Sequence, residues 1–280
     1  MRKSFASNTA PLLVGVIKEE KINQAIASIK NAQLCGAQAF DLHLSPFSEN
    51  DLTVENLSNI MKSTEKPILA VHYNEAFDRT RLNFSDEERL RQMLIALDAG
   101  AAGIDMQGYT FEPNGDTIST LTAQKTKDNM SFVKSLPNEV TLNPETVAKQ
   151  KDLINRVHKK GGEVLLSTHT GCFLDCGQTL DLTDYLHERK PDVIKLVNSC
   201  CDSEEQLAEY FKTILKLKNR YNDTKIHYHC NGKFGKYTRI IGPMLGSYIA
   251  FCVENYNESS IFEQLPLGVM KSVYDLISKI

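Results

Sequence analysis

DVIKLVNSCCDSEEQLAEYFKTILKLKNRYNDTKIHYHC, residues 192–230, holds two short β-rich runs with one long helical stretch between them. In the first run, Asp192 to Val197, alternation puts Val193, Lys195 and Val197 on one face of an extended chain and Ile194 and Leu196 on the other. A run that is apolar on both faces suits a strand of a parallel sheet, which is covered on both sides. Ser203 to Tyr221 reads as a helix, and Lys225 to Cys230 returns as a strand, so the stretch is one βαβ unit. The same alternation continues in both directions. Strands are predicted at Leu12 to Val16, Ala39 to Leu44, Ile68 to His72, Gly103 to Gln107, Glu163 to Thr168 and Tyr248 to Val253, and helices at Lys21 to Leu34, Asp86 to Ala99, Pro144 to Lys160 and Leu267 to Ile280. Pro144, Pro191 and Pro243 fall at predicted segment edges, where proline is tolerated.

Eight strands invite closure, and 280 residues suit eight strand–helix units, which need about 250. The expectation is a single α/β domain over residues 1–280, a (β/α)8 TIM barrel. Its one irregularity is a long insertion after the fourth strand, Gly108 to Asn143, too long for an ordinary βα loop. That segment is polar, with one weak helical patch from Leu121 to Leu136. Loops after strands cover the mouth of such a barrel, so the insertion is a candidate lid, subunit contact or solvated decoration.

Composition narrows the partners. Lys and Arg number 32 against 35 Asp and Glu, a formal charge of -3, which leaves no basic excess for nucleic acid or an anionic membrane surface. The only apolar run near the N-terminus is five residues, too short for a signal sequence or a bilayer span, so a cytoplasmic protein is expected. In that compartment the seven cysteines should stay as free thiols. Neither Cys172 with Cys176 nor Cys200 with Cys201 has Cys-x-x-Cys spacing.

The chemistry centres on Lys195. An ammonium inside an apolar strand is expensive unless paired, and the uncharged amine is the form that attacks a carbonyl, so this lysine is placed to form a Schiff base. A structural lysine paired with a carboxylate is the plain alternative. His169 follows the preceding strand, and neighbouring strands bring their C-terminal ends side by side, where barrel active sites lie. A histidine there supplies the acid and base that imine formation and proton abstraction need. Arg239, after the glycines of Gly232-Lys233-Phe234-Gly235-Lys236, suits bidentate binding of a carboxylate from a loop. That Gly-Lys run lacks phosphate-loop spacing and reads as a turn leading into Arg239. The cluster Glu87, Glu88, Arg89 and Arg91 reads as a solvated helix face.

Several stretches together resemble the type I 3-dehydroquinate dehydratases: residues 36–43, Lys66 to Ala70, Gly100 to Asp105, Ser167-Thr168-His169, Asp192 to Lys195, and residues 231–242. The resemblance implies a barrel that forms an imine between a lysine and a cyclic ketone, with Lys195 as the imine lysine, His169 as the general acid and base, and Arg239 on the substrate carboxylate. It also implies a homodimer and no metal or organic cofactor. Departures from the family pattern fall in the substrate-reading shell. Asp41-Leu42-His43 stands where the family has a Glu-x-Arg pair, Tyr73 replaces an arginine, Gln107 a glutamate and Asn231 a methionine, and Gln264-Leu265-Pro266-Leu267-Gly268 does not place the family's serine and glutamine where they would contact substrate hydroxyls. A site that loses such partners loses discrimination for the original substrate. The sequence therefore suggests a Schiff-base lyase that dehydrates 3-dehydroquinate or a related carbonyl compound with one carboxylate.

Two other classes compete. Histidines crowd predicted strand ends, at His43, His72, His169 and the pair His227 and His229. With Asp41, His227 and His229 could hold a divalent metal, as in barrel hydrolases and isomerases. The remaining reading is a ligand-binding paralogue that kept the fold and lost the reaction.

Overall fold

The computed structural model describes residues 2–73, 84–112, 140–256 and 263–279. Among them lie eight parallel strands and eight α-helices in alternation, the (β/α)8 barrel class. The strands are β1 (Leu12–Ile17), β2 (Ala39–His43), β3 (Ile68–Val71), β4 (Gly103–Gln107), β5 (Glu163–His169), β6 (Val193–Asn198), β7 (Lys225–Cys230) and β8 (Ile249–Cys252). The helices are α1 (Ile22–Leu34), α2 (Val54–Lys62), α3 (Asp86–Asp98), α4 (Pro144–Lys159), α5 (Cys176–His187), α6 (Glu204–Arg220), α7 (Gly235–Leu245) and α8 (Leu267–Ile277). No helix among the described residues is long and apolar enough to cross a membrane. Most of the insertion, including the patch from Leu121 to Leu136, lies outside the described residues.

Two compact units make up the chain. Met1–Asp105 with Ile249–Ile280 contains the strand order β8–β1–β2–β3 and the first three residues of β4. β2, β3, β4 and β8 are buried along their whole length, which explains why they read as continuous apolar runs. α2 was not predicted; it is short, and its N-terminus is fixed by the Thr53 hydroxyl accepting from Asn56 N–H. Arg89 departs from the solvated face expected of its cluster. It is 2% exposed and donates to the His72 carbonyl (2.9 Å) and to Asp86, whereas Arg91 and Glu88 do pair at the surface.

Met106–Tyr248 contains β5, β6 and β7, paired in parallel. The register aligns Ser167, Lys195 and His227 across the three strands, and His169, Val197 and His229 two residues further on. Residues two apart on a strand share a face, so both rows look the same way. α6 begins with a capping box between Ser203 and Gln206 and buries Tyr210, Ile214 and Leu217 on one stripe. Each of those side chains contributes about 1.5–3 kcal/mol through the apolar area it removes from water. α5 and α7 were not predicted. Asp175 and Gln178 form a capping box for α5, while α7 carries two glycines and Pro243.

α7 corrects two expectations. Pro243 lies inside the helix rather than at a segment edge, and Arg239 is a helical residue rather than part of a glycine-bounded loop. Packing overrides poor helix propensity here. The Tyr210 hydroxyl donates into the backbone carbonyls of Tyr228 and Thr238, and a Cβ at Gly242 would run into that hydroxyl.

A buried polar network holds the loop after β4 against α4 and α5. The Gln150 side-chain amide donates to the Gly108 and Thr110 carbonyls (2.9 and 2.8 Å), and Thr141 N–H donates to the Gly108 carbonyl (3.1 Å). Arg189 donates to Gln150 Oε1 and to the Thr141 carbonyl. Burial holds the Arg189 guanidinium down at about 10.

Candidate active site

The chemistry-bearing residues of Met106–Tyr248 lie in two adjacent rows across β5, β6 and β7, with His169 at the end of β5. Lys195 lies in β6, every residue of which is buried, and is itself 4% exposed. His169 ends β5 with some surface accessible. The Thr170 hydroxyl donates to the Cys172 carbonyl (2.7 Å) and Thr170 N–H to the Val197 carbonyl (2.8 Å), which ties the end of β5 to β6 next to the histidine.

Arg239 reaches the same group from α7. Thr238 docks the first turns of that helix on β7: its hydroxyl accepts from Cys230 N–H (3.0 Å) and lies 2.9 Å from the Cys230 carbonyl. Gly232 lets the intervening turn pass close to Asp202 and the Cys201 backbone. It has φ +117, and a Cβ there would stand 2.8 Å from Cys201 N. Arg239 Nη2 then donates to Asn231 Oδ1 (2.8 Å), so two sequence-predicted binding residues meet directly. Arg239 is 7% exposed.

This group is electropositive. The His169 ring is held well below its usual protonation range, first by burial and then by Lys195, Arg239 and His227 nearby. His229 is lowered likewise, by burial first and then by Arg239, His227, Lys195 and His169. At neutral pH His169 is thus an unprotonated imidazole, the form that accepts a proton, beside a lysine and an arginine.

His227 and His229 share a face of β7, as their alternation predicts, and their rings meet. His227 Nε2 and His229 Nδ1 are 2.7 Å apart and bond each other, and His227 Nδ1 faces the Ser247 hydroxyl at 3.0 Å. Among the described residues no group of three or more His, Cys, Asp or Glu side chains could hold a metal ion. All seven cysteines are free thiols.

The remaining predicted residues are buried polar groups. In the other unit, His43 Nε2 lies 3.7 Å from Asp41 Oδ2, the His43 and Tyr73 rings are tilted with centroids 5.7 Å apart, and the Tyr73 hydroxyl donates to Asp105 Oδ2 (3.2 Å). Gln107, at the end of β4, is fully buried. Asp105 is not marked by the sequence, because one acid in an apolar run carries no local signal. Ser247 was missed for a similar reason: nothing in its local sequence marks it as the partner of His227.

Comparisons with known proteins agree with this arrangement at the level of the fold. The 3-dehydroquinate dehydratase of Geobacillus kaustophilus HTA426 superposes with a TM-score of 0.74 at 12% identity, covering 100% of this chain and 97% of that one. The type I 3-dehydroquinate dehydratase of Clostridium difficile, solved with covalently modified comenic acid, gives a TM-score of 0.74 at 14% identity, covering 98% and 94%. The dehydratase of Enterococcus faecalis gives 0.68 at 14% identity, covering 96% and 95%. No curated protein matches the chain. The sequence model described as Type I 3-dehydroquinase matches residues 15–280, nearly the whole chain, and the protein therefore belongs to the type I 3-dehydroquinase family.

Proposed function

We propose that the protein is a Schiff-base-forming carbon–oxygen lyase that dehydrates a carbonyl compound bearing one carboxylate, 3-dehydroquinate or a relative of it, through an imine on Lys195. The observation that carries the reading is the group itself: a lysine 4% exposed in β6, a histidine kept unprotonated at the end of β5, and a buried arginine on α7.

In the proposed cycle the Lys195 amine adds to the substrate carbonyl and water leaves, forming a protonated imine. His169 removes a proton from the adjacent carbon, and the electron pair moves into the imine to give an enamine. The enamine then expels the hydroxyl one carbon further on, which takes the proton back from His169 and departs as water. A second water hydrolyses the imine, releasing an unsaturated carbonyl product and the free lysine. The net change is loss of one water from the substrate. Lys195 holds charge as the imine forms, and Arg239 binds the carboxylate through its guanidinium.

The altered shell favours a relative of 3-dehydroquinate. Asp41, His43 and Tyr73 present a carboxylate, an imidazole and a phenol where the family resemblance implies two arginines among the three, and Gln107 and Asn231 are neutral amides. Sites that read substrate oxygens by hydrogen bonding discriminate strongly when those partners change.

The test is turnover of 3-dehydroquinate and of a panel of hydroxylated oxo acids, followed by the ultraviolet absorbance of the conjugated product. The reading expects at least one compound to be dehydrated, with kcat lost by about a thousandfold in Lys195→Met and by about a hundredfold or more in His169→Ala. Binding of a compound without turnover, unchanged in Lys195→Met, would favour the ligand-binding paralogue.

A further inference from the structure

A hydrogen-bond chain runs behind the lysine along β7. Tyr228 N–H donates to the Ser247 hydroxyl oxygen (2.9 Å), that hydroxyl lies 3.0 Å from His227 Nδ1, and His227 Nε2 lies 2.7 Å from His229 Nδ1. The chain ends at His229 Nε2, which is buried without a hydrogen-bond partner, although His229 is only 4% exposed. Buried polar atoms in folded proteins are nearly always bonded, so an orphan at this place needs a reason.

The protons along the chain have two possible directions. In one, the histidines donate toward Ser247, whose own proton is then stranded at a position with no accessible surface. In the other, Ser247 donates to His227 Nδ1, His227 Nε2–H donates to His229 Nδ1, and His229 carries its proton on Nε2. The second direction puts the one unsatisfied group beside Lys195, His169 and Arg239, where a ligand can satisfy it. Resting on the imine reading above, we propose that His229 Nε2–H is a substrate-binding donor for a hydroxyl oxygen, so that the site takes hydroxylated oxo acids in preference to their deoxy analogues. Arg239 then holds the carboxylate, Lys195 the carbonyl carbon, and His229 a third point that fixes the substrate in the plane of the reaction.

The experiment has two arms. Long-range ¹H–¹⁵N spectroscopy of the whole protein reads the tautomers directly and should find His227 and His229 both neutral and protonated on Nε2. A spectrum with His229 protonated on Nδ1, or on both nitrogens, overturns the inference. In the second arm, borohydride-trapped adduct on Lys195 is timed with 3-dehydroquinate, 4-hydroxy-2-oxobutanoate and 2-oxobutanoate. Wild type should trap the better hydroxylated compound about tenfold or more faster than 2-oxobutanoate, from the cost of leaving a buried donor unpaired. His229→Leu should remove that margin while still trapping. His229→Gln, which restores an N–H donor, should recover part of it. A margin that survives intact in His229→Leu overturns the inference and leaves the imine mechanism standing. No adduct from any compound in wild type overturns the imine reading instead, and the spectrum still decides the tautomer of His229.

Discussion

Protonating His169 or His229 is opposed in the folded protein, first by burial and then by the cations Lys195 and Arg239 and the neighbouring histidines. In the unfolded chain each ring takes up its proton near about pH 6.5. Below that pH the unfolded state binds more protons than the folded one, so stability is full above about pH 6.5 and falls as the pH drops toward the depressed folded-state values. Each pH unit over which the unfolded ring is protonated and the folded ring is not removes about 1.4 kcal/mol per histidine. Urea unfolding followed by circular dichroism at about pH 8, 6.5 and 5 measures the loss. His169→Gln and His229→Gln should each shrink the loss and the double variant should shrink it most, a difference in which the other titrating groups cancel. An identical decline in wild type and double variant would refute the reasoning, because it would mean that both rings charge freely in the folded protein.

Three further outcomes follow from the same packing. Gln150→Leu deprives the buried Thr110 carbonyl and Arg189 Nε–H of partners and should lower the unfolding free energy by about 2–4 kcal/mol, measured by urea titration; a change within about 0.5 kcal/mol would show the network to be dispensable. Gly242→Ala pushes a methyl into the Tyr210 hydroxyl and should cost about 1–3 kcal/mol, part of it recovered in the double variant with Tyr210→Phe. Arg239→Lys keeps the charge but loses the fork, and should raise KM for the compound turned over by about tenfold or more with a smaller effect on kcat. An unchanged KM would remove the carboxylate from this arginine.

The fold was legible because strands buried on both faces write long apolar runs, and all eight were located to within two residues at either end. The helices legible in the sequence have strong periodicity or clear caps, such as α4 with Asn143 and Pro144 at its start. α5 and α7 were invisible because glycine, threonine and proline hide a helix that tertiary packing stabilises. That reading put Arg239 in a loop, whereas it lies in a helix that starts directly beyond the end of β7. Lys195 stood out as a charge within an apolar strand, whereas its register against His227 is set by strand pairing that no local pattern shows. Arg89 was misread because a charged cluster on a helix carries no sign of which member turns inward to a carbonyl such as that of His72. The bond between His227 and His229 was equally hidden: alternation puts two imidazoles on one face but says nothing about whether they face each other or a metal.

The central claim is that a carbonyl compound becomes bonded to Lys195. The most direct measurement is borohydride reduction of the protein mixed with 3-dehydroquinate or a hydroxylated oxo acid, followed by peptide mass spectrometry. A stable mass addition, equal to the compound or its dehydrated product less one oxygen, is expected on the peptide containing Lys195, and none in Lys195→Met. An adduct spread over surface lysines such as Lys212 or Lys271, with Lys195 unmodified beside a dehydratase that traps normally, would contradict it.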